Sequence, residues 1–291
     1  MLIIKNGHVT DPLQQIDRQA DVWIEDGCIA AVTEPGQTAA LMSPQNGQPR
    51  SRICGQDRPA GSAAAGSQTQ ILDASGCYVT PGLIDHHVHL WPLAGTGIPA
   101  EAVCFAAGVT TAVDAGSTGC LTWERNLPFI RTSLLSVKAY LNVCSSGLDS
   151  LPWPEDVNPQ HWEEGRIRGC LEQYGDSLLG LKLRTSRQVV GDLGWQPLIR
   201  TVEMAERLGV SVMVHCTDPP GDFGELLDIL RPGDVLTHMY MNIGSDLTGE
   251  PDDKPGQVIE AAWRARERGV LFEAADARAH FGLPVAQAAI S

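Results

Sequence analysis

Two hydrophobic rhythms divide the chain. Over the first 33 residues apolar positions come in short runs, LIIK, HVT, ADVWIE and CIAAVT, broken at Asn6-Gly7 and Asp26-Gly27. Asn-Gly and Asp-Gly supply the positive φ of type I′ hairpin turns, so these runs predict short paired strands. The rhythm is then lost. Residues 36–70 are rich in Gly, Ser, Ala, Gln and Pro and poor in aliphatic side chains. Such a segment buries too little apolar surface to offset its ordering entropy, and it reads as a low-complexity insertion. Strand signals resume at Gln70–Asp73 and Tyr78–Thr80, with Ser75-Gly76 as the turn. Residues 1–80 are therefore expected to form a small N-terminal β-sandwich subdomain carrying the 36–70 insertion.

From Pro81 the pattern alternates between strand and helix. GLIDHHVHL, GVTTAVDAG, LSVKAYLNV, SLLGLKLR, GVSVMVHC, DVLTHM and GVLFEAA are seven apolar, β-branched-rich runs. Helical spacing fills several gaps between them. Leu198, Val202 and Leu208 share one face, and Val258, Ile259, Ala262 and Trp263 another. Gly-Val opens the next strand at residues 108, 209 and 269, the glycine serving the left-handed position after a helix. Repeated strand–helix units predict an α/β fold with a parallel sheet, of the TIM (β/α)₈ barrel type over 81–291.

Composition narrows the class. With 21 Lys plus Arg against 35 Asp plus Glu, the net charge is -14, which disfavours nucleic acid as a partner. No apolar run reaches the roughly 20 residues of a membrane helix. The N-terminus lacks a signal-peptide pattern, so a soluble, cytoplasmic protein is expected, with no membrane partner. The eight cysteines are scattered through apolar segments without a C-x-x-C pair. They read as small buried thiols of a reducing compartment.

The chemistry gathers at strand ends, where a barrel of this type carries its site. His87 and His89 end the first barrel run and, two residues apart, point to the same side. His215 ends the fifth run and His238 the sixth. Four imidazoles at the ends of three strands make a candidate site for zinc or a similar divalent metal. His86 has the opposite parity and is expected to face the helices. His8, His161 and His280 have no such placement and read as structural or surface residues.

The run Pro81-Gly82-Leu83-Ile84-Asp85-His86-His87-Val88-His89 resembles the P-G-x-x-D-x-H-x-H signature of the amidohydrolase superfamily. The stretch Gly108–Gly116 resembles a second-strand segment of its members. LGLKLRTSRQVVG, VHCTDPP and LRPGDVLTHM resemble the amidohydrolase/deacetylase group, often labelled dihydroorotase-like. The resemblance implies that His87 and His89 ligate a buried metal and that His215 and His238 ligate a second. It implies that Lys182 becomes carboxylated and bridges the two, which would be zinc ions. Lys182 follows the apolar run Leu178–Leu181, a setting in which a lysine loses its proton readily. Two such ions acidify a water and polarise a carbonyl. The implied activity is hydrolysis of an amide or ester bond in a small carboxylate-bearing substrate. Arg184 and Ser186 are candidates to hold that carboxylate. Asp85 is a candidate to orient a ligand histidine, Asp114 to give polar support, and Asp218-Pro219-Pro220 to shape a mouth loop.

The resemblance has gaps. The family places a proton-accepting aspartate on an eighth strand, and only seven strands are visible here, so no catalytic residue is matched to it. The expectation is a chain truncated before that strand. Strands one and seven would then be open edges. That leaves room for a second chain in a homo-oligomer, and for the alternative of a non-catalytic metal-binding or scaffold remnant. Asp276 is a weak substitute for the missing aspartate. Two local departures stand out: Ala275-Asp276-Ala277 in place of a Gly-His-Gly-like segment, and Met239-Tyr240-Met241-Asn242 after His238.

Overall fold

A computed structural model describes residues 1–37, 69–91, 97–150, 155–250, 256–276 and 280–291. Most of the low-complexity insertion, residues 38–68, lies outside the described residues, as does Ala277. The chain divides into two compact units, Met1–Leu83 and Ile84–Ser291.

The first unit is one mixed sheet. It holds β1 (Leu2–Asp11), β2 (Ile16–Glu25), β3 (Cys28–Thr33), β4 (Gln70–Asp73) and β5 (Tyr78–Val79). β2 pairs antiparallel with β1 and β3, whereas β4 and β5 both lie parallel to β1. Asn6 and Asp26 adopt the positive φ foreseen for their Gly-containing dipeptides. The Asn6-Gly7 pair, however, falls inside β1, where the register with β2 shifts, rather than between two strands. Val9, Ala20 and Val22 form this unit's small core. Among the described residues the subdomain is a single layer.

The second unit carries all seven foreseen barrel strands. They are β6 (Leu83–Val88), β7 (Val109–Asp114), β8 (Ser136–Asn142), β9 (Leu178–Arg184), β10 (Ser211–His215), β11 (Val235–Thr237) and β12 (Leu271–Glu273). They lie in sequence order, with β6 and β12 at the two edges, as a curled parallel half-barrel. The helices are α1 (Ala100–Ala106), α2 (Trp123–Thr132), α3 (Glu164–Tyr174), α4 (Arg187–Val190), α5 (Gln196–Leu208), α6 (Phe223–Ile229), α7 (Glu260–Arg268) and α8 (Leu283–Ile290). Gly209 and Gly269 end α5 and α7 in the left-handed conformation, as the Gly-Val repeats implied. Trp263 departs from expectation: its side chain is exposed rather than part of the packed face of α7.

Both faces of the central strands are buried, the usual state of a parallel sheet. Leu181, Leu183, Val212 and Val214 join the main core with Leu198 and Leu226. Their alternate neighbours turn to the other face, where Val113, Tyr140, Met213 and Val235 form a separate cluster. That alternation is what carries Lys182 and His215 away from the main core. Five described cysteines, Cys104, Cys120, Cys144, Cys170 and Cys216, are buried free thiols, and Cys77 is free but exposed. Cys28 corrects the expectation of thiols throughout: it is disulfide-bonded, at the start of β3 on the edge of the first sheet. No helix among the described residues is long and apolar enough to cross a membrane.

Candidate functional site

The four expected histidines converge. The ring of His87 lies 5.7 Å from that of His89 and 4.9 Å from that of His238, and His215 lies 4.6 Å from His238. Each ring is fixed through one nitrogen. His87 Nδ1 donates to Glu273 Oε2 at 2.8 Å, with the Thr237 hydroxyl at 2.9 Å. His238 Nδ1 donates to the Ala275 carbonyl at 2.8 Å. A carboxylate and a carbonyl only accept, so both rings carry their proton on Nδ1 and present a bare Nε2. His89 Nδ1 meets Ser117 Oγ at 3.0 Å, and His215 Nε2 meets Thr217 Oγ1 at 3.0 Å. Fixing one imidazole nitrogen to orient the other is how proteins present a metal ligand.

Supporting groups explain this precision. Asp114, buried at the end of β7, accepts from the backbone N–H of Leu90 at 2.8 Å and of Ser117 at 2.7 Å. It thereby ties His89 to the serine that orients it. Asp85 accepts from the backbone N–H of His87 at 3.1 Å, so it braces the strand end rather than an imidazole. His238 holds φ at 63°, an uncommon value for a residue that is not glycine. Such strain persists only where surrounding contacts enforce it, commonly at functional sites.

Lys182 lies at the centre, 3% exposed, and its Nζ has no hydrogen-bond partner among the described residues. Burial pushes its pKa down to about 7, helped by Arg184 and opposed by Glu273. Gly116 makes room for it. A Cβ at that position would overlap Lys182 Cβ and Cγ, and φ there is +85°. Burial, then the Lys182 charge, lowers His87 to about 4 and His238 to about 2. Burial also lowers His89 to about 4, against the pull of Asp114, and takes His215 well below its ordinary value. Burial acts to raise Glu273, but hydrogen bonds from His86 and His87 outweigh it and hold the carboxylate well below its usual range. The result is a buried set of neutral imidazoles around one lysine and one carboxylate.

Two further expectations change. His86 does not face the helices: its Nδ1 reaches Glu273 Oε1 at 2.6 Å, beside the His87 contact. The Glu273 carboxylate accepts from its ring, and the Tyr140 ring lies edge-on to it at 6.0 Å. Ser186 is fully buried, and its Oγ accepts from the Thr217 backbone N–H at 3.0 Å, so it supports the residue that orients His215. Arg184 is half-buried and donates to the buried Glu155 at 2.7 Å, and its other donors have no partner among the described residues. The mouth loop at Asp218-Pro219-Pro220 is strapped by Arg187, which donates to the Pro219 carbonyl at 2.7 Å.

Two residues of the cluster escaped the sequence reading. Glu273 closes β12 on the side of the site, a place its spacing from Leu271 permitted but nothing singled out. His280 stacks on His238 with ring centroids 4.0 Å apart and lies 5.3 Å from His215. Asp276, by contrast, is exposed. A cleft between α1 and α2 and another beside α7 and β12 are lined by none of these histidines.

No family model matches the sequence. Over 239 residues the chain is 35% identical to a deacetylase of Agrobacterium fabrum, covering 78% of this chain and 56% of that protein. A deacetylase of Brucella anthropi is 33% identical over 238 residues, with the same coverage of each. A crystal structure of a dihydroorotase superposes with a TM-score of 0.76 and 29% identity, over 99% of this chain and 69% of that one. The chain belongs to the amidohydrolase superfamily. Within it, the chain is similar to proteins named deacetylase and dihydroorotase. It spans 56% of the length of the two deacetylases.

Proposed function

We propose that this amidohydrolase binds two divalent metal ions of the zinc class and hydrolyses an amide or ester bond of a small carboxylate-bearing substrate. The observation that carries this reading is the orphaned Lys182 amine, buried among four imidazoles with defined free nitrogens. The donor set fits: neutral imidazole suits zinc-class metals, and an unpaired buried amine is unstable without a further partner. His87, His89, His215 and His238 would hold the ions. Lys182, whose low pKa supplies a neutral amine, would add to CO₂ with loss of a proton and so offer an anionic oxygen donor beside these histidines. Bound ions would acidify a water and polarise the scissile carbonyl.

The chain's own groups do the rest. Glu273, Thr237 and the Ala275 carbonyl fix the tautomers. Asp114 and Ser117 fix His89. Ser186 and Thr217 fix His215. The unused donors of Arg184, held in place by Glu155, would pair with a substrate carboxylate in the planar manner guanidinium allows. N-acyl amino acids, acetylated hydroxy acids and cyclic amides are the substrates to assay on zinc-loaded protein. Hydrolysis abolished by His87→Ala and with KM raised by Arg184→Ala is the expected result. A second reading has one observation in its favour. The described carboxylate nearest the imidazoles, Glu273, is engaged by two histidines and so is poorly placed to take a proton. Zinc bound at full stoichiometry with no turnover on any of these substrates would support a non-catalytic metal-binding role.

A further inference from the structure

His280 is not one of the four histidines of the expected ligand set, yet the fold brings it into contact with two of them. The donor nitrogens of His215, His238 and His280 all lie within 4.8 Å of one another. His280 Nδ1 is buried and has no hydrogen-bond partner among the described residues. Its placement is specific. The Gly282 N–H donates to the Tyr240 carbonyl at 2.6 Å, and the Phe281 ring meets the Tyr240 ring edge-on at 6.1 Å. Gly282 approaches Asn242 so closely that a Cβ would lie 2.5 Å from the Asn242 Cβ. Tyr240 and Asn242 belong to one of the two segments where the sequence departs from the family pattern, and they hold the residues that follow the other.

We propose that His280 is a third protein ligand at the His215–His238 end, completing a three-imidazole site for one zinc-class divalent cation that requires neither Lys182 nor its carbamate. The inference rests on reading His215 and His238 as ligands. Three neutral nitrogen donors are a common protein set for zinc and leave a fourth position to water. The arrangement predicts an order of loading: one ion held here first, independent of CO₂, and the second only once Lys182 is carboxylated.

The test uses the full chain, stripped with chelator and titrated with cobalt(II) in CO₂-depleted buffer. Metal analysis gives stoichiometry and the visible cobalt spectrum reports the ligand field. Wild type and Lys182→Ala are expected to bind one cobalt each with the same spectrum. His280→Ala is expected to bind it at least tenfold more weakly with an altered spectrum. His280→Cys is expected to restore affinity and add a thiolate-to-cobalt band, which a merely structural role would not produce. Thermal unfolding of the metal-free variants checks that each is folded. Unchanged affinity and spectrum in His280→Ala would overturn the inference while leaving the metal site itself intact. A wild-type protein that takes up no cobalt would overturn both.

Discussion

Gly116 and Lys182 act as one structural unit. The glycine's positive φ and its missing Cβ are both needed for the lysine stem to pass. Gly116→Ala must strain the backbone and push against buried side chains at once. A loss of about 2 kcal/mol is expected, which for a unit of this size is a fall in Tm of about 4–8 °C. Calorimetry of the metal-free variant measures it, and an unchanged Tm would show that Lys182 can move aside freely. Lys182 itself predicts an opposite effect. A buried amine without a partner costs desolvation that no hydrogen bond returns. Lys182→Met keeps the length and removes the polar atom, so the metal-free protein should be more stable at pH 7 in urea unfolding. The same variant should bind less zinc than wild type under ambient CO₂. Stability and the proposed ligand function would therefore pull in opposite directions at this residue.

At the level of elements, the two edge strands of the half-barrel meet through a single carboxylate. Glu273 on β12 holds His86 and His87 at the end of β6, while its backbone carbonyl accepts from the Met239 N–H at 3.0 Å. Glu273→Gln keeps the shape but puts an amide N–H against imidazole donors. A cost of about 2 kcal/mol is expected from the lost charge-assisted bonds. Hydrogen exchange should quicken in β6 and β12 and stay unchanged in β8 and β9; uniform quickening would mean that the edges are not joined locally. These elements also show what a sequence can reveal. The seven strands were legible because each is a short apolar run between turn or helix signals. His87 and His89 were legible from strand parity, His215 and His238 from their places at strand ends, and Lys182 from the family resemblance. Glu273 obeys the same parity, but one acid at a strand end has no partner pattern in sequence. His86 broke parity because its ring is bound by Glu273, a contact between residues far apart in sequence that strand period does not encode. His280 follows no regular element, and its position depends on the Tyr240 and Asn242 contacts, which no local periodicity encodes.

For the molecule as a whole, an acidic chain of net charge -14 encloses a cluster that must stay uncharged on its imidazoles. This fixes how stability should vary with pH. His87 and His89 fall to about 4 in the folded state against an ordinary value of 6.5. Between those values the unfolded chain binds more protons than the folded one, so stability is full above pH 6.5 and is lost as pH falls toward 4. Each such proton contributes about 1.4 kcal/mol per pH unit. Glu273, depressed in the folded state, adds to the loss at the acid end. Lys182 acts in a separate window. Its pKa of about 7 lies below the ordinary 10.5, so protonation again favours the unfolded chain and stability should rise from pH 7 toward 10.5. Under the proposed function, zinc would raise stability by mass action wherever its ligands are deprotonated, by about 2.7 kcal/mol at a hundredfold excess over Kd. Urea unfolding in chelator from pH 4.5 to 10 should therefore show two rising limbs. His87→Gln with His89→Gln should flatten the lower limb and Lys182→Met the upper one. If the curve of the metal-free wild type is flat across both windows, these groups are not buried together as described.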